Sequence, residues 1–189
     1  GNILWSVDKK IYSDKEDHTL AITGWAITRD QSECDFILYG SGKELSVPEP
    51  SRCERADVAK DLKKTKDIKE VGNVGFTVKI PEIIKLAEEH EKLQLALRAG
   101  DEKEIIWEAT AAEVKDFCEE SLIEYHIDEE QITQESILTV RGWVVNQLEP
   151  DEIFVQGTDG KVLECTITRQ RRPDVEEAKG ISEEEKRNL

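Results

Sequence analysis

Three arginines near the end of the chain are the residues best suited to bind an anion. Arg169, Arg171 and Arg172 fall within four consecutive positions. Paired guanidinium groups can grip a carboxylate or a phosphate through parallel hydrogen bonds. These arginines make a local basic region in a chain with a formal net charge of −16, so they are the first candidates for an anion-binding site.

The four tryptophans offer a second kind of chemistry, because a flat indole face suits stacking on a sugar ring. Trp25 and Trp143 each follow a glycine within an alternating apolar segment, and this context favours packing in a core over stacking on a ligand. Trp5 and Trp107 lie nearer the ends of predicted strands. These two are therefore the candidates for lining a surface groove.

Residues for catalysis or metal binding do not form a recognisable pattern. The carboxylates lie in polar stretches that indicate solvated surfaces, and the three histidines are far apart in sequence. No serine elbow, phosphate-binding loop or dinucleotide fingerprint is present. We predict no catalytic residue, no metal site and no cofactor in this chain. A hydrolase with two facing carboxylates stays as a minor alternative.

The composition excludes several classes of protein. The chain has 42 acidic and 26 basic residues, and this excess of negative charge argues against nucleic acid as a partner. No apolar run approaches the roughly 18 residues of a transmembrane helix. The chain starts with glycine and contains no methionine, so we expect it to be part of a longer polypeptide.

The four cysteines show neither a CxxC pair nor a histidine at metal-ligand spacing. We predict reduced and mostly buried thiols, as in a cytoplasmic protein. The residues are Cys34, Cys53, Cys118 and Cys165.

The chain contains an internal repeat with a period of roughly 118 residues. Segment 18–27 resembles segment 136–145, which places Trp25 against Trp143. Phe36 matches Phe154 at the same offset. The other matched blocks are 5–8 with 125–128, 42–43 with 160–161, and 52–58 with 169–175. Because the blocks keep one order, they indicate two copies of one domain.

The elements predicted within each copy are mostly short strands. In the first copy they cover residues 21–27, 34–39, 45–47, 74–80, 93–98 and 104–109, with helices after residue 57 and over 81–91. In the second copy they cover residues 139–145, 153–156 and 162–168, with a helix from Pro173. We predict a mainly β protein of two tandem antiparallel β-sandwich modules, each with a short inserted helix. The domains are residues 1–116 and 122–189, joined by a linker at 117–121.

The second copy stops before its last three predicted strands, because the counterpart of Phe76 would fall beyond residue 189. A sandwich module without those strands exposes an apolar sheet face, which monomers seldom tolerate. We therefore predict such a face in the second copy, and expect another chain or the first copy to cover it.

The repeated charged residues allow two interpretations. Arg52, Arg55 and Asp57 in the first copy match Arg169, Arg172 and Asp174 in the second. The arginines could bind an anion, or they could pair with the aspartate and lock a corner between a strand and a helix. We favour the structural interpretation, because a binding site is rarely needed twice at one position of a fold.

Three short motifs carry a resemblance to a known family. They are Leu20-x-Ile-x-Gly-Trp-Ala26, Arg52-x-x-Arg-x-Asp-Val58 and Gly75-Phe-x-Val-x-Ile80, and the second copy repeats the first two. With these motifs the chain resembles the accessory region that precedes the catalytic domain in many bacterial family 2 glycosyltransferases of cell-surface polysaccharide synthesis. The resemblance implies tandem β-sandwich modules upstream of a nucleotide-sugar-using domain. It carries over no catalytic residue, since that domain has no counterpart in these residues.

The functional hypothesis from the sequence is a non-catalytic region of a cytoplasmic, membrane-proximal glycosyltransferase. It would position a catalytic domain that follows Leu189, a glycan acceptor or a partner subunit. The alternative is a scaffold or homo-oligomerisation module that binds no sugar.

Overall fold

The computed structural model describes residues 1–47, 49–147 and 152–180 of the chain. Within these residues the protein is mainly β, with antiparallel strand pairing throughout, which confirms the predicted fold class. The chain divides into two compact units, Gly1–Glu119 and Glu120–Leu189.

The first unit is a sandwich of two four-stranded sheets. One sheet has the order β1-β2-β6-β5 and the other has the order β4-β3-β7-β8. The strands are β1 (Ile3–Ser13), β2 (Thr19–Thr28), β3 (Asp35–Gly40), β4 (Lys43–Leu45), β5 (Ser51–Cys53), β6 (Gly75–Ile80), β7 (Lys92–Ala99) and β8 (Glu102–Thr110). The helices are α1 (Ala56–Thr65), α2 (Ile83–His90) and α3 (Ala111–Ser121).

The core of this sandwich follows from the period-two alternation of its strands. In β2 and β6 the inward positions pair directly, with Ile22 opposite Val78 and Leu20 opposite Ile80. Each of these four side chains is at most 2% exposed. Burial of one such side chain contributes about 1.5–3 kcal/mol. The core therefore depends on β6 as much as on β2.

An aromatic pair joins the two sheets across the core. Phe36 of β3 meets Phe76 of β6 edge to face, with ring centroids 4.8 Å apart. Such pairs add stability beyond that of their buried area. Arg52 of β5 caps the pair, because its guanidinium lies over the Phe36 ring and donates to the carbonyl oxygen of Cys34.

Trp25 lies on the outer face of its sheet, beneath α1. It packs there against a hydrophobic cluster that is separate from the sandwich interior, made of Ile27, Val58, Leu62, Ile68 and Val74. The sequence pattern favours the sandwich core for this indole, whereas the structure gives the inward position to Gly24. A β-carbon on Gly24 would stand only 3.0 Å from the Phe76 ring. Because neighbouring residues of a strand face opposite ways, Trp25 faces out.

Helix α3 takes the place of the whole predicted linker, since residues 117–121 form its C-terminal part. At the start of the helix the Thr110 hydroxyl oxygen accepts a hydrogen bond from the Glu113 amide, and the hydroxyl donates to the Glu113 carboxylate. Val114 and Cys118 are 3% and 1% exposed. The buried face holds these residues in a helix, although the segment looks polar in sequence.

The second unit contains fewer elements among its described residues. They are β9 (Ile123–Ile132), β10 (Leu138–Asn146), β11 (Val155–Gln156), β12 (Val162–Leu163) and α4 (Pro173–Lys179). β9 pairs with β10, and β11 pairs with β12. The predicted strand at 162–168 is only two residues long in the structure. A short pair is expected where no larger sheet supports it.

The described residues of the second unit include many exposed large apolar side chains. Large hydrophobic side chains on its strands and loops are 43–73% exposed. They include Ile127, Leu138, Val140, Phe154 and Val162.

Candidate functional site

In each unit an arginine at the start of a helix binds two aspartates. Arg55 immediately precedes α1, and its Nε and Nη2 atoms lie 2.9 Å and 2.7 Å from the two carboxylate oxygens of Asp57. Its Nη1 atom bonds Asp8 of β1 at 2.5 Å. One guanidinium therefore ties the helix start to the first strand.

The second unit repeats this arrangement with its own residues. Arg172 precedes α4 and binds both oxygens of Asp174 at 2.9 Å and 2.8 Å. Its Nη1 atom bonds Asp128 of β9 at 2.7 Å. We call each group of one arginine and two aspartates the arginine corner.

A β-bulge places one aspartate of each corner. In β1 the ladder to β2 skips Asp8, and in β9 the ladder to β10 skips Asp128. A bulge leaves one residue unpaired and redirects its side chain. The partner strands have glycine at this point. A β-carbon on Gly24 would be 2.1 Å from the Ser6 carbonyl oxygen, and one on Gly142 would be 2.2 Å from that of His126.

Each corner shifts the pKa values of its arginine and of the aspartate in the adjoining helix. Hydrogen bonds from Arg55 lower the pKa of Asp57 from 3.8 to about 2, and those from Arg172 do the same for Asp174. The carboxylates raise the pKa values of both arginines in return. The guanidinium and carboxylate groups are therefore charged at neutral pH and bonded to one another.

Two of the three arginines that the sequence proposes for anion binding hold carboxylates of the same unit. Arg172 belongs to its corner, and Arg171 binds both oxygens of Glu176, which is 5% exposed. Arg169 is an exposed residue that precedes them. Since two of the three guanidinium groups already hold carboxylates, an added anion would have to compete with these bonds.

Trp107 lines a cleft within the first unit. The cleft encloses about 240 Å³ and lies beside β8, β2 and α3. Its apolar wall contains Leu20, Ala109, Val114, Phe117 and Cys118. Trp107 itself is half-buried, so it supports the cleft while part of its ring stays accessible.

Polar groups border this cleft. The ammonium group of Lys10 stands 5.8 Å from the centre of the Phe117 ring, a cation–π distance. Glu108 accepts hydrogen bonds from Gln94 and Lys92, which lower the pKa of its carboxyl. The Glu113 carboxylate accepts a hydrogen bond from the Thr110 hydroxyl at the start of α3. The two carboxylates therefore have structural partners, and Lys10 is the polar side chain that meets an aromatic wall.

The other tryptophans have different surroundings. Trp5 is half-buried opposite Ala26 in the β1–β2 ladder and is not among the residues lining the Trp107 cleft. Trp143 lies under the Lys179 ammonium group, which is 5.4 Å from the ring centre. Lys10 and Phe117 do not stand out in the sequence, because they come together with Trp107 only in the folded unit. A lysine and an aromatic residue about 100 positions apart give no local signal.

The cysteines are all described, and none forms a disulfide. Cys34 and Cys118 are buried, whereas Cys53 and Cys165 are exposed, so the prediction of mostly buried thiols holds for two of the four. Burial raises the pKa of Cys118 to about 11.

The described residues contain neither a metal-binding cluster nor a helix that could cross a membrane. No group of three or more histidine, cysteine, aspartate or glutamate side chains there is arranged to hold a metal ion. No helix in that part of the chain is both long and apolar enough to cross a membrane.

No protein-family model, curated protein or solved structure matches the chain.

Proposed function

We propose that the chain is a non-catalytic accessory region of a family 2 glycosyltransferase, and that the Trp107 cleft holds part of the glycan acceptor. The single observation that carries the acceptor role is the pairing of Trp107 with Phe117 in one cleft, beside Lys10. The assignment to a glycosyltransferase is supported only by the resemblance of the sequence motifs to that family.

The chemistry of the cleft suits a saccharide. Aromatic faces can pack on the C–H groups of a sugar ring, while a lysine donates hydrogen bonds to hydroxyl or carboxylate oxygens. A volume of about 240 Å³ lies just below the roughly 300–1,000 Å³ of typical small-molecule pockets. The cleft therefore fits a single sugar residue of a longer chain better than a complete nucleotide sugar.

The arginine corners are poor candidates for the same role. Each guanidinium group donates three hydrogen bonds to aspartates of the same unit, and the arrangement occurs in both units. A repeated brace explains this better than two binding sites. Acceptor binding at Trp107 leaves both corners intact.

An NMR titration with a panel of bacterial cell-surface oligosaccharides tests the acceptor role. We expect the indole N–H signal of Trp107 to shift on addition of at least one glycan at millimolar concentration. Trp107→Leu keeps an apolar side chain but removes the aromatic ring, so it should abolish the interaction, and Trp5→Phe is the control that should keep it. Absence of binding across the panel, or equal binding by Trp107→Leu, would reject the acceptor role.

A scaffold or oligomerisation module is the second candidate, and the exposed apolar side chains of the second unit favour it. Multi-angle light scattering separates the candidates. A stable dimer without glycan affinity would support assembly, whereas a monomer that binds glycan supports the acceptor role.

A further inference from the structure

The Trp107 cleft opens between the edge strands of the two sheets of the first unit. β1 is the outer strand of one sheet, and β8 is the outer strand of the other. Lys10 of β1 stands opposite Ile22, and Trp107 of β8 stands opposite Leu95. Both of these partners are 0% exposed, and residues directly opposite in antiparallel strands share one face of the sheet. Lys10 and Trp107 therefore lie on the inner faces of their sheets, where both line the cleft.

The fold does not require a lysine at this position of the strand. By the internal repeat, Lys10 of β1 corresponds to Glu130 of β9. The ladders agree, because Lys10 pairs with Ile22, and Glu130 pairs with Val140, the counterpart of Ile22. The same strand position thus accepts a cation in the first unit and an anion in the second. The positive charge of Lys10 is therefore available for a role specific to the first unit.

The Lys10 ammonium group has an aromatic neighbour and no carboxylate partner in the described part of the chain. It stands 5.8 Å from the centre of the Phe117 ring, near the outer limit of about 6 Å for a cation–π contact. Of the two carboxylates at the cleft, Glu108 is neutralised by Lys92, whose Nζ atom lies 3.0 Å away. Glu113 lies on the exposed first turn of α3. The ammonium of Lys10 and the carboxylate of Glu113 are thus the charges left for a ligand.

These local charges decide which ligand binds, more than the net charge of −16 does. At physiological ionic strength, screening limits the effect of exposed charges to about 8 Å. A ligand carboxylate beside Lys10 would replace a weak aromatic contact with charge-assisted hydrogen bonds. Hydroxyl groups of the same ligand can donate to the Glu113 carboxylate, which accepts hydrogen bonds only.

We propose that the sugar residue held in the Trp107 cleft is a uronic acid, and that Lys10 binds its carboxylate. A uronic acid combines C–H groups that pack on Trp107, one carboxylate for Lys10 and hydroxyl donors for Glu113. This inference rests on the proposed acceptor role of the cleft. It makes Lys10 the residue that separates acidic sugars from neutral ones.

Matched pairs of glycans test the preference on the 189-residue protein. The probes are the oligosaccharides of the panel that contain a uronic acid, and the same oligosaccharides after their carboxyl groups are reduced to primary alcohols. Binding is followed by the indole N–H signal of Trp107. We expect each bound acidic oligosaccharide to bind about threefold to tenfold more tightly than its reduced form. Added sodium chloride should weaken the binding of the acidic form alone.

Variants of two adjacent lysines assign the preference to one side chain. Lys10→Gln removes the charge of an exposed residue, so the protein should stay folded and bind the acidic and reduced oligosaccharides equally. Lys10→Arg should keep the preference. Lys9→Gln is the matched control, because Lys9 is also exposed but stands opposite Thr23 on the other face of β1, and it should bind as the wild type does.

The outcomes separate this inference from the acceptor role. Equal or tighter binding of the reduced oligosaccharides, or a preference that survives in Lys10→Gln, would overturn the uronic acid. Binding of neutral oligosaccharides alone would also overturn it and would leave the acceptor role standing, whereas no binding by any oligosaccharide at millimolar concentration would reject both. Preferred binding of an amino sugar, lost in Glu113→Gln, would assign the selectivity to Glu113 instead.

Discussion

The carboxylate of Asp128 lies 2.7 Å from the Nη1 atom of Arg172, and Asp8 and Arg55 make the same contact in the first unit. In both units the aspartate is the bulged residue of a strand, and the arginine is the residue before a helix. The contact therefore couples three local features that are separate in sequence: a bulge, a glycine opposite it and a helix start.

The glycine opposite the bulge should be essential for stability. Gly24→Ala would push a β-carbon to 2.1 Å from the Ser6 carbonyl oxygen, which is backbone and cannot easily move. We expect a loss of about 1–3 kcal/mol in the free energy of unfolding, measured by urea denaturation. Gly72→Ala is the control, because nothing lies within 4 Å of the added carbon. A tolerated Gly24→Ala would contradict the close approach.

The planar guanidinium group of Arg55 should contribute to the thermal stability of the protein. Arg55→Lys keeps the charge but cannot hold both oxygens of Asp57 and reach Asp8 together. We expect a lower Tm in a thermal melt followed by circular dichroism. Arg98→Lys is the control, since Arg98 makes one long, exposed contact with Asp35 at 3.8 Å, and its Tm should be unchanged. Equal Tm values for the two variants would show that the arginine corner does not stabilise the fold.

Acid should weaken the corners in a defined range of pH. The pKa values of Asp57 and Asp174 are lowered from 3.8 to about 2, so their stabilising effect is present above about pH 4 and is lost as the pH falls toward 2. Urea midpoints measured from pH 5 to pH 2 should fall less steeply in the double variant Asp57→Asn and Asp174→Asn. Some slope should remain, because the pKa of Asp30 is also about 2. Identical slopes would contradict the pKa shifts.

The thiols should react in two classes. Cys53 and Cys165 are exposed, whereas Cys34 and Cys118 are buried and have raised pKa values. We expect two thiols to react quickly with iodoacetamide at pH 8 in the native protein, and all four to react in urea. Mass spectrometry of the peptides identifies them. Fast labelling of Cys118 in the folded protein would contradict the burial of this face of α3.

The repeat and many of the strands could be predicted from the sequence, because matched blocks and period-two alternation are local signals. The side of the sheet that Trp25 faces could not, since it depends on which of two neighbouring residues leaves room for Phe76. Helix α3 was hidden because its polar surface masks two buried positions, although threonine at 110 with glutamate three residues later is a readable signal for a helix start.

The site was predictable only in part. Trp107 stood out as a candidate because it lay near a predicted strand end, but its partners Lys10 and Phe117 come from other elements. The arginine corner was expected from the repeat, whereas the role of Asp8 and Asp128 depends on a bulge. A bulge has no reliable signature in a single sequence beyond a glycine in the partner strand.

Amide hydrogen exchange in the 189-residue protein tests the central claim, that the second unit repeats the bulged strand pair of the first, while β10 has β9 as its only neighbouring strand among the described residues. The amide of Ala26 donates to the Val74 carbonyl oxygen on the β6 side, and alternate amides of β2 share that direction. Ile22 should therefore exchange slowly, whereas the matching amide of Val140 should exchange near the rate of an unprotected strand edge. Equal, strong protection of both amides would contradict the claim.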